Sequence, residues 1–311
     1  FNSIFNLFSI AKAVRQTKPD AILYNLQFMK FGDKKVAAAL GLFSPWLSKC
    51  MKVNTTVLLH NIMETVDLDS AGFANNRLKK KVYHFIGEML TRVVLKADTV
   101  ALTISKYVRI LEQKYKATNC VLIPHGTFEI PQEPSYTTTD DRLKIMTFGK
   151  FGTYKKVEVL IEAVEKAREQ TGQPLEVVIA GTDNPNTIGY LASVKEKYKD
   201  VTDITFTGYV AEADVPKLFS ESAMVVFPYT STTGSSGVLH QAGSYGKAVV
   251  MPDLGDLSIL VREEGYRGEF FEPENSQSLA DAITALVVDQ SYRISLAKAN
   301  YAAATAYPMS K

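Results

Sequence analysis

Two short segments in the second half of the chain combine glycine with amine or hydroxyl side chains, a combination suited to binding phosphate. The first, residues 149–156, reads Gly-Lys-Phe-Gly-Thr-Tyr-Lys-Lys and directly follows a predicted strand. Gly149 allows a ligand to come close to the backbone, and the amines of Lys150, Lys155 and Lys156 suit an anion. The segment is not a P-loop, because the Gly-Lys-Ser/Thr ending is missing. The alternative interpretation is a cluster of exposed, solvated lysines.

The second segment, residues 230–237, reads Thr-Ser-Thr-Thr-Gly-Ser-Ser-Gly and lies between a predicted strand and a predicted helix. At the start of that helix, the backbone N–H groups of Ser235, Ser236 and Gly237 would carry partial positive charge, which favours a bound anion. The alternative is a flexible loop in which Ser235 or Ser236 simply caps the helix.

The elements that must position these segments alternate between strand and helix. Apolar runs, each followed by a helical pattern, predict a parallel sheet covered on both faces. Ligands of such sheets bind outside the carboxyl ends of the strands. The predicted strands lie at 143–149, 175–181, 203–209, 223–229, 247–251 and 268–271, and the predicted helices at 156–171, 187–199, 212–221, 236–245, 257–264, 276–288 and 290–307.

The first half of the chain has the same alternation with fewer strands. Its predicted strands lie at 21–25, 55–60, 99–104 and 120–124, and its predicted helices at 1–17, 33–50 (broken at Ser44-Pro45) and 77–96. Residues 131–142 hold prolines and threonines without apolar periodicity, which is typical of a linker. We therefore expect two Rossmann-like domains, residues 1–130 and 143–311.

Composition excludes several classes of protein. The 311 residues suggest about two domains. Hydrophobic residues make up 46% and charged residues 22%, which excludes a disordered chain. The net charge of +2 gives no field that favours nucleic acid. Cys50 and Cys120 have neither zinc-site nor disulfide-framework spacing, so a reducing, cytoplasmic location and no metal are expected.

Six segments, in order, resemble the retaining glycosyltransferases of family 4, which have the GT-B fold. This resemblance implies an α/β chain of two Rossmann-like domains facing a cleft. It also implies that the chain begins inside the first domain, whose leading strand is missing. The segments are 97–112 (ADTVALTISKYVRILE), 121–126 (VLIPHG), 149–164 (GKFGTYKKVEVLIEAV), 206–210 (FTGYV), 241–250 (QAGSYGKAVV) and, more loosely, His60 after VLL.

The resemblance assigns roles to individual residues. Lys150 and Lys155 fall on the family's arginine and lysine that contact the donor diphosphate. Backbone groups beside Tyr209 would hold the base, and His60 would line the cleft near the acceptor and the transferred sugar. The family's two glutamates are replaced by Thr233, near the transferred sugar, and Gln241, at the ribose.

Other residues carry weaker expectations. Asp183 ends a strand on the ligand side, so we consider it a candidate for the donor site. His125 and His240 are expected to serve packing or a turn. The helix at 77–96 begins with Arg77, Lys79, Lys80 and Lys81, which is either a solvated face or a surface for anionic lipid.

The expected function is transfer of a sugar from a nucleoside diphosphate sugar to a glycan or lipid-linked acceptor, with retention of configuration and without a metal. Polysaccharide or glycoconjugate biosynthesis, in the cytoplasm or at the inner membrane surface, is the implied setting. Because Thr233 and Gln241 depart from the family pattern, a GT-B protein that has lost activity and serves as a binding or partner subunit is the alternative. A phosphorylase or an epimerase on the same fold is a third interpretation.

Overall fold

The computed structural model describes residues 3–26, 34–65, 77–127, 131–137, 142–231 and 236–308. The chain separates into two compact units. The first is Phe1–Pro124, and the second runs over His125–Thr232 and Ser236–Lys311. Within the described residues, no helix is both long enough and apolar enough to cross a bilayer.

The first unit contains, in its described part, a four-stranded parallel sheet in the order β1-β2-β3-β4. The predicted break at Ser44-Pro45 is confirmed, because a new helix begins at Ser44 and holds Pro45 in its first turn, where the missing N–H is tolerated. A single turn of 3₁₀ helix spans Met63–Thr65. The strands are β1 (Ala21–Leu26), β2 (Asn54–Leu59), β3 (Thr99–Leu102) and β4 (Cys120–Leu122), and the helices are α1 (Asn6–Thr17), α2 (Lys35–Gly41), α3 (Ser44–Cys50), α4 (Arg77–Val94) and α5 (Ser105–Tyr115).

The second unit contains a six-stranded parallel sheet in the order β10-β9-β8-β5-β6-β7. Its buried core is made largely of valine, isoleucine, leucine and alanine from the strands and from the helices that cover them. The strands are β5 (Leu143–Phe151), β6 (Leu175–Asp183), β7 (Ile204–Gly208), β8 (Met224–Val226), β9 (Ala248–Pro252) and β10 (Gly268–Phe271). The helices are α6 (Glu158–Thr171), α7 (Tyr190–Lys197), α8 (Val215–Glu221), α9 (Gly237–Ser244), α10 (Gly255–Glu263), α11 (Ser276–Val288) and α12 (Gln290–Ala306).

Both predicted parallel sheets are confirmed, but several predicted strand ends are wrong, and two of them lie at glycines. We expected β5 to end at Gly149 and β6 at Gly181, whereas they continue to Phe151 and Asp183. The two glycines face each other in the ladder with φ of 138° and 137°. Without a Cβ, both adopt this conformation without strain, so the pairing continues past them.

The beginning of the second unit lies against its last helix. Thr127 donates from its N–H to the carbonyl of Tyr307 at 3.0 Å and from its hydroxyl to the carbonyl of Ala304 at 2.9 Å. The hydroxyl of Tyr301 in α12 donates to the carbonyl of Pro131 at 2.8 Å. These hydrogen bonds attach the described residues between His125 and Thr137 to α12.

Candidate functional site

The sheet of the second unit changes its direction of growth between β5 and β8. From β5 the chain adds β6 and β7 on one side, and it then returns to add β8, β9 and β10 on the other. Loops that follow two such neighbouring strands diverge, which leaves room for a ligand at their carboxyl ends. The lysine-bearing segment follows β5, and the stretch that leads to α9 follows β8, so their described parts meet at this point.

Lys155 is buried at this point, with 7% of its surface exposed. The alternative interpretation, a cluster of exposed and solvated lysines, is therefore wrong for Lys155. Its Nζ lies 3.4 Å from the carbonyl oxygen of Phe148, to which it donates, and 4.8 Å from the ring centre of Tyr229. The backbones of Lys155 and Tyr229 also form an antiparallel bridge. The loop therefore packs against the residues that follow β8. This packing encloses an amine that the sequence places in a polar segment.

The absence of a side chain at Gly149 makes room for the Lys155 amine. A Cβ at Gly149 would lie 2.5 Å from Nζ of Lys155. In the part of the chain that the structure describes, no carboxylate pairs with this amine. Burial lowers the pKa of Lys155 to about 8, because the charged form loses its hydration. The site thus holds a partly desolvated cation that an incoming anion would stabilise.

Lys150 and Lys156 lie in different settings from Lys155. Lys150 is exposed on the last part of β5, opposite Thr182 of β6. Lys156 donates to the carbonyl of Gly152 at 3.0 Å, and its amine lies 5.1 Å from the ring centre of Tyr190. The structure therefore replaces the expected loop cluster with one exposed, one buried and one locally bonded amine.

Asp183 is the last residue of β6, and the start of α7 occupies its carboxylate. Its Oδ2 accepts the N–H of Gly189 at 2.7 Å, and its Oδ1 accepts the N–H of Leu191 at 2.8 Å. A carboxylate that satisfies two free N–H groups at a helix start has a structural role. The structure thus gives Asp183 a capping position.

The start of α9 follows β8 at the same edge of the sheet. The helix begins at Gly237, and Ser236 precedes it without capping it through its side chain. A Cβ at Gly237 would have no atom of the described residues within 4 Å, so these residues leave the space at this helix start open. The side chain of Ser236 instead hydrogen-bonds with Tyr229. Thr233 and Ser235 lie outside the described residues.

A pocket of about 690 Å³ adjoins α9. Gln241 of α9 lines it, together with His240, Ser244, Tyr245 and Glu212. The lining thus includes both Gln241 and His240, a buried histidine for which the sequence suggested only a packing role.

His240 belongs to a buried polar cluster inside the second unit. Its ring stacks on that of His125, with centroids 4.2 Å apart and an angle of 5° between the planes. Its Nδ1 lies 2.9 Å from the hydroxyl of Tyr266 and 3.5 Å from Oε2 of Glu264. Burial and the neighbouring His125 lower the pKa of His240 to about 3, and burial raises the pKa of Glu264 to about 7. Sequence reasoning missed Glu264 and Tyr266, because only tertiary packing brings them to α9.

Two further candidates occupy strand ends. His60 follows β2 in the first unit, and its Nε2 lies 2.6 Å from Oδ1 of Asn25. Burial lowers the pKa of His60, so its imidazole is neutral at pH 7. Tyr209 follows β7 in the second unit, and its side chain is exposed. Among the described residues, no group of three or more His, Cys, Asp or Glu side chains is placed to hold a metal ion.

A known family of proteins matches the part of the chain that carries much of this site. Residues 142–289 match the family model described as "Glycosyl transferases group 1". A search of curated protein sequences finds no match.

Solved structures with the same arrangement of elements include three from bacteria. HepE from Anabaena, crystallised with UDP, is 18% identical with a TM-score of 0.69, over 96% of this chain and 77% of that one. A sucrose-phosphate synthase from Thermosynechococcus elongatus is 18% identical with a TM-score of 0.70, over 96% of this chain and 72% of that one. A glycosyltransferase from Rickettsia africae is 15% identical with a TM-score of 0.68, over 99% of this chain and 78% of that one.

These likenesses establish the fold, which is that of the GT-B glycosyltransferases. The family match covers the part of the second unit that carries Lys150, Lys155, Asp183, Tyr209 and Gln241. The second unit is therefore similar, in sequence pattern and in fold, to the corresponding part of GT-B glycosyltransferases.

Proposed function

We propose that this chain transfers a sugar from a nucleoside diphosphate sugar to a glycan or lipid-linked acceptor and retains the configuration of the transferred sugar. The observation that carries the proposal is the amine of Lys155. It is buried without a carboxylate partner among the described residues, and it lies at the point where the sheet changes direction. A desolvated cation without an anion is unfavourable in the free protein, and it becomes favourable when a diphosphate supplies the missing charge.

In the proposed reaction, the bond between the sugar carbon and the diphosphate breaks while the acceptor oxygen attacks from the same face, and the acceptor's proton passes to the departing phosphate oxygen. Negative charge then grows on the departing diphosphate. The buried amine of Lys155 and the exposed amine of Lys150 at the end of β5 would stabilise that charge. The start of α9 would add backbone N–H groups. Because the charge is larger in the transition state than in the bound donor, these groups would act mainly on the rate.

The rest of the donor is proposed to follow the family pattern. Gln241 would accept a ribose hydroxyl through its amide oxygen, and backbone groups beside Tyr209 would hold the base. UDP is the first nucleotide to test, because HepE was crystallised with it. His60 would serve the acceptor side. Work in polysaccharide or glycoconjugate biosynthesis is the proposed setting.

Steady-state kinetics of lysine variants test the proposal. With an identified donor, Lys155→Ala should lower kcat/KM by about 100- to 1,000-fold, the range for losing one donor to a developing oxyanion. Lys150→Ala should have a similar effect. The double variant should lose less kcat/KM than the product of the two single fold-losses, since both amines stabilise one charge. Lys195→Ala on α7 is the control. A wild-type rate in Lys155→Ala would exclude the mechanism.

A second candidate is a GT-B protein without activity that binds a nucleotide or a partner. It rests on Thr233 and Gln241, which stand where the resembled family has carboxylates. Calorimetry with UDP and a donor-hydrolysis assay separate the two. Binding without turnover of any donor would favour the inactive subunit, whereas hydrolysis that Lys155→Ala abolishes would favour the enzyme.

A further inference from the structure

The loop of residues 152–157, here named the lysine loop, joins β5 to α6 and carries the buried amine of Lys155. On the side of β8, the N–H of Lys156 donates to the carbonyl of Pro228 at 2.9 Å. The N–H of Thr230 donates to the carbonyl of Tyr154, within the loop, at 2.8 Å. These bonds hold one side of the lysine loop, and residues at the start of α7 hold the other.

Tyr190, the first residue of α7, contacts the end of the lysine loop through its hydroxyl. This hydroxyl accepts the N–H of Val157 at 2.9 Å and donates to a carboxylate oxygen of Glu158, the first residue of α6. Burial and this carboxylate raise the pKa of Tyr190 well above its ordinary value, so the hydroxyl keeps its proton and its lone pairs face Val157. Because Val157 is fully buried, its N–H would lose this acceptor without gaining water if the hydroxyl were removed.

The ring of Tyr190 lies against the beginning of the lysine loop. A Cβ at Gly152 would lie 2.8 Å from Cγ of Tyr190, so the glycine lets the ring approach the backbone closely. The amine of Lys156 lies 5.1 Å from the centre of the same ring. Thr187, just before α7, donates from its hydroxyl to the carbonyl of Phe151 at 3.1 Å. The start of α7 thus contacts the lysine loop at both of its ends.

Asp183 fixes the part of α7 that holds Tyr190. Its carboxylate accepts the N–H groups of Gly189 and Leu191, the two neighbours of Tyr190 in the chain. The helix start therefore has its backbone fixed on both sides of the tyrosine. A carboxylate at the end of β6, a capped helix start and the tyrosine together form one support for the lysine loop.

We propose that Tyr190 is a positioning residue for the lysine loop and that Asp183 acts through it. The hydroxyl and the ring hold the loop, and the loop holds the amine of Lys155 between Tyr229 and Gly149. The effect of Tyr190 on the rate rests on the proposed function, whereas its effect on the position of the amine does not.

Carbon-detected NMR of the lysine side chains measures the position of the amine without any donor, and Lys155→Met identifies the signal of Lys155. In the wild type the pKa of Lys155 should be about 8. In Tyr190→Phe this pKa should rise by about 1 or more, because the loosened loop lets water reach the amine. The rings of Tyr154 and Tyr229, which face the amine, are present in both proteins. An unchanged pKa of Lys155 in Tyr190→Phe would overturn the proposal.

Tyr198→Phe is the matched control, because Tyr198 also joins α6 to the end of α7. Its hydroxyl donates to Glu162 of α6 at 2.6 Å, and the amine of Lys197 lies 4.7 Å from its ring centre. This hydroxyl accepts from the amine of Lys197 at 2.9 Å, where that of Tyr190 accepts a backbone N–H. Tyr198→Phe should leave the pKa of Lys155 as in the wild type, and both variants should keep the same circular dichroism. An equal rise of this pKa in Tyr198→Phe would indicate general loosening and would also overturn the proposal.

Kinetics with an identified donor measure the effect on the rate. Tyr190→Phe should lower kcat about tenfold and change the KM of the donor less than about twofold, since the position of the amine matters most as charge grows on the diphosphate. Asp183→Asn, which keeps one acceptor oxygen, should cause a smaller loss of the same kind. The double variant should lose about as much as Tyr190→Phe alone, because both residues act along one path. Losses that multiply would contradict the role given to Asp183. If the wild type turns over no donor, the proposed function fails, and the NMR titration still decides the role of Tyr190.

Discussion

Lys155 illustrates how one buried amine can serve both binding and regulation by pH. In the free protein its ammonium lies among Tyr229, the carbonyl of Phe148 and Gly149, with little access to water. The low pKa means that the amine releases its proton more easily than an exposed lysine does. A bound diphosphate would reverse this shift, so donor binding should take up protons at pH values above about 8.

Replacing Lys155 with methionine should stabilise the fold while it removes activity. Methionine keeps the shape of the chain and removes a buried charge that has no acidic partner, so the free energy of unfolding should rise by about 1 to 3 kcal/mol at pH 7. Chemical denaturation of both proteins measures this change. A destabilised Lys155→Met protein would show that the amine makes favourable contacts beyond those described.

The same pair of proteins should differ in how their stability responds to pH. Burial lowers the folded-state pKa of Lys155 from 10.5 to about 8, so between these values the unfolded chain binds more protons than the folded one. The contribution of Lys155 to the free energy of unfolding therefore rises as the pH increases through this window. The advantage of Lys155→Met should shrink between pH 8 and pH 10, and an advantage that stays constant would contradict the lowered pKa.

At the scale of elements, the paired ends of β5 and β6 form the floor under Lys155. Gly149 and Gly181 are register partners, and the carbonyl of Gly149 fills the place that a Cβ at Gly181 would need. The amine of Lys155 fills the corresponding place beside Gly149. Because these positions interlock, a change at Gly181 should reach Lys155 through Gly149.

Gly181→Ala should lower the free energy of unfolding by more than about 3 kcal/mol, since it combines backbone strain with a clash against main chain. It should also reduce activity in any protein that still folds. Gly172→Ala, at the end of α6, is the matched control, because its φ of 63° is also positive but a Cβ there meets no atom of the described residues within 4 Å. Gly172→Ala should lower the free energy of unfolding by about 1 kcal/mol. Equal losses in the two variants would show that the interlocking has no effect.

The sequence predicted elements better than it predicted side-chain environments. Apolar runs between turn residues located the ten strands of the described residues, because short apolar runs bounded by turn residues are a strong local pattern. The ends of β5 and β6 were missed, since glycine usually ends a strand and here permits it to continue. Burial of Lys155 and the contacts among His125, His240 and Glu264 were also missed, because residues distant in sequence create them.

At the scale of the whole molecule, the second unit contains all the residues proposed to bind the donor. It has its own core and its own sheet, and its first described residues attach to α12. We therefore expect residues 125–311 to fold and bind UDP without the first unit. Residues 143–311 alone would lack the bonds of Thr127 and Pro131 and the stacking of His125 on His240.

Thermal unfolding of the two fragments measures what the initial segment contributes. Without these contacts, residues 143–311 should lose about 2 to 3 kcal/mol of unfolding free energy. In a unit of this size that loss should lower the Tm by roughly 5 to 10 °C. Both fragments should keep the same far-ultraviolet circular dichroism. Equal Tm values would mean that residues 125–142 act only as a connection.

The attachment of Thr127 to the last helix has a consequence for synthesis on the ribosome. Thr127 and Ala304 are 177 residues apart along the chain, so almost the entire second unit must leave the exit tunnel before this contact can form. Closing so long a loop is slow, and domains emerge at roughly 5 to 20 residues per second. For many seconds, the nascent chain therefore holds its initial segment and the buried face of α9 without their final partner. Chaperone holdases that cover apolar surface would act during this interval.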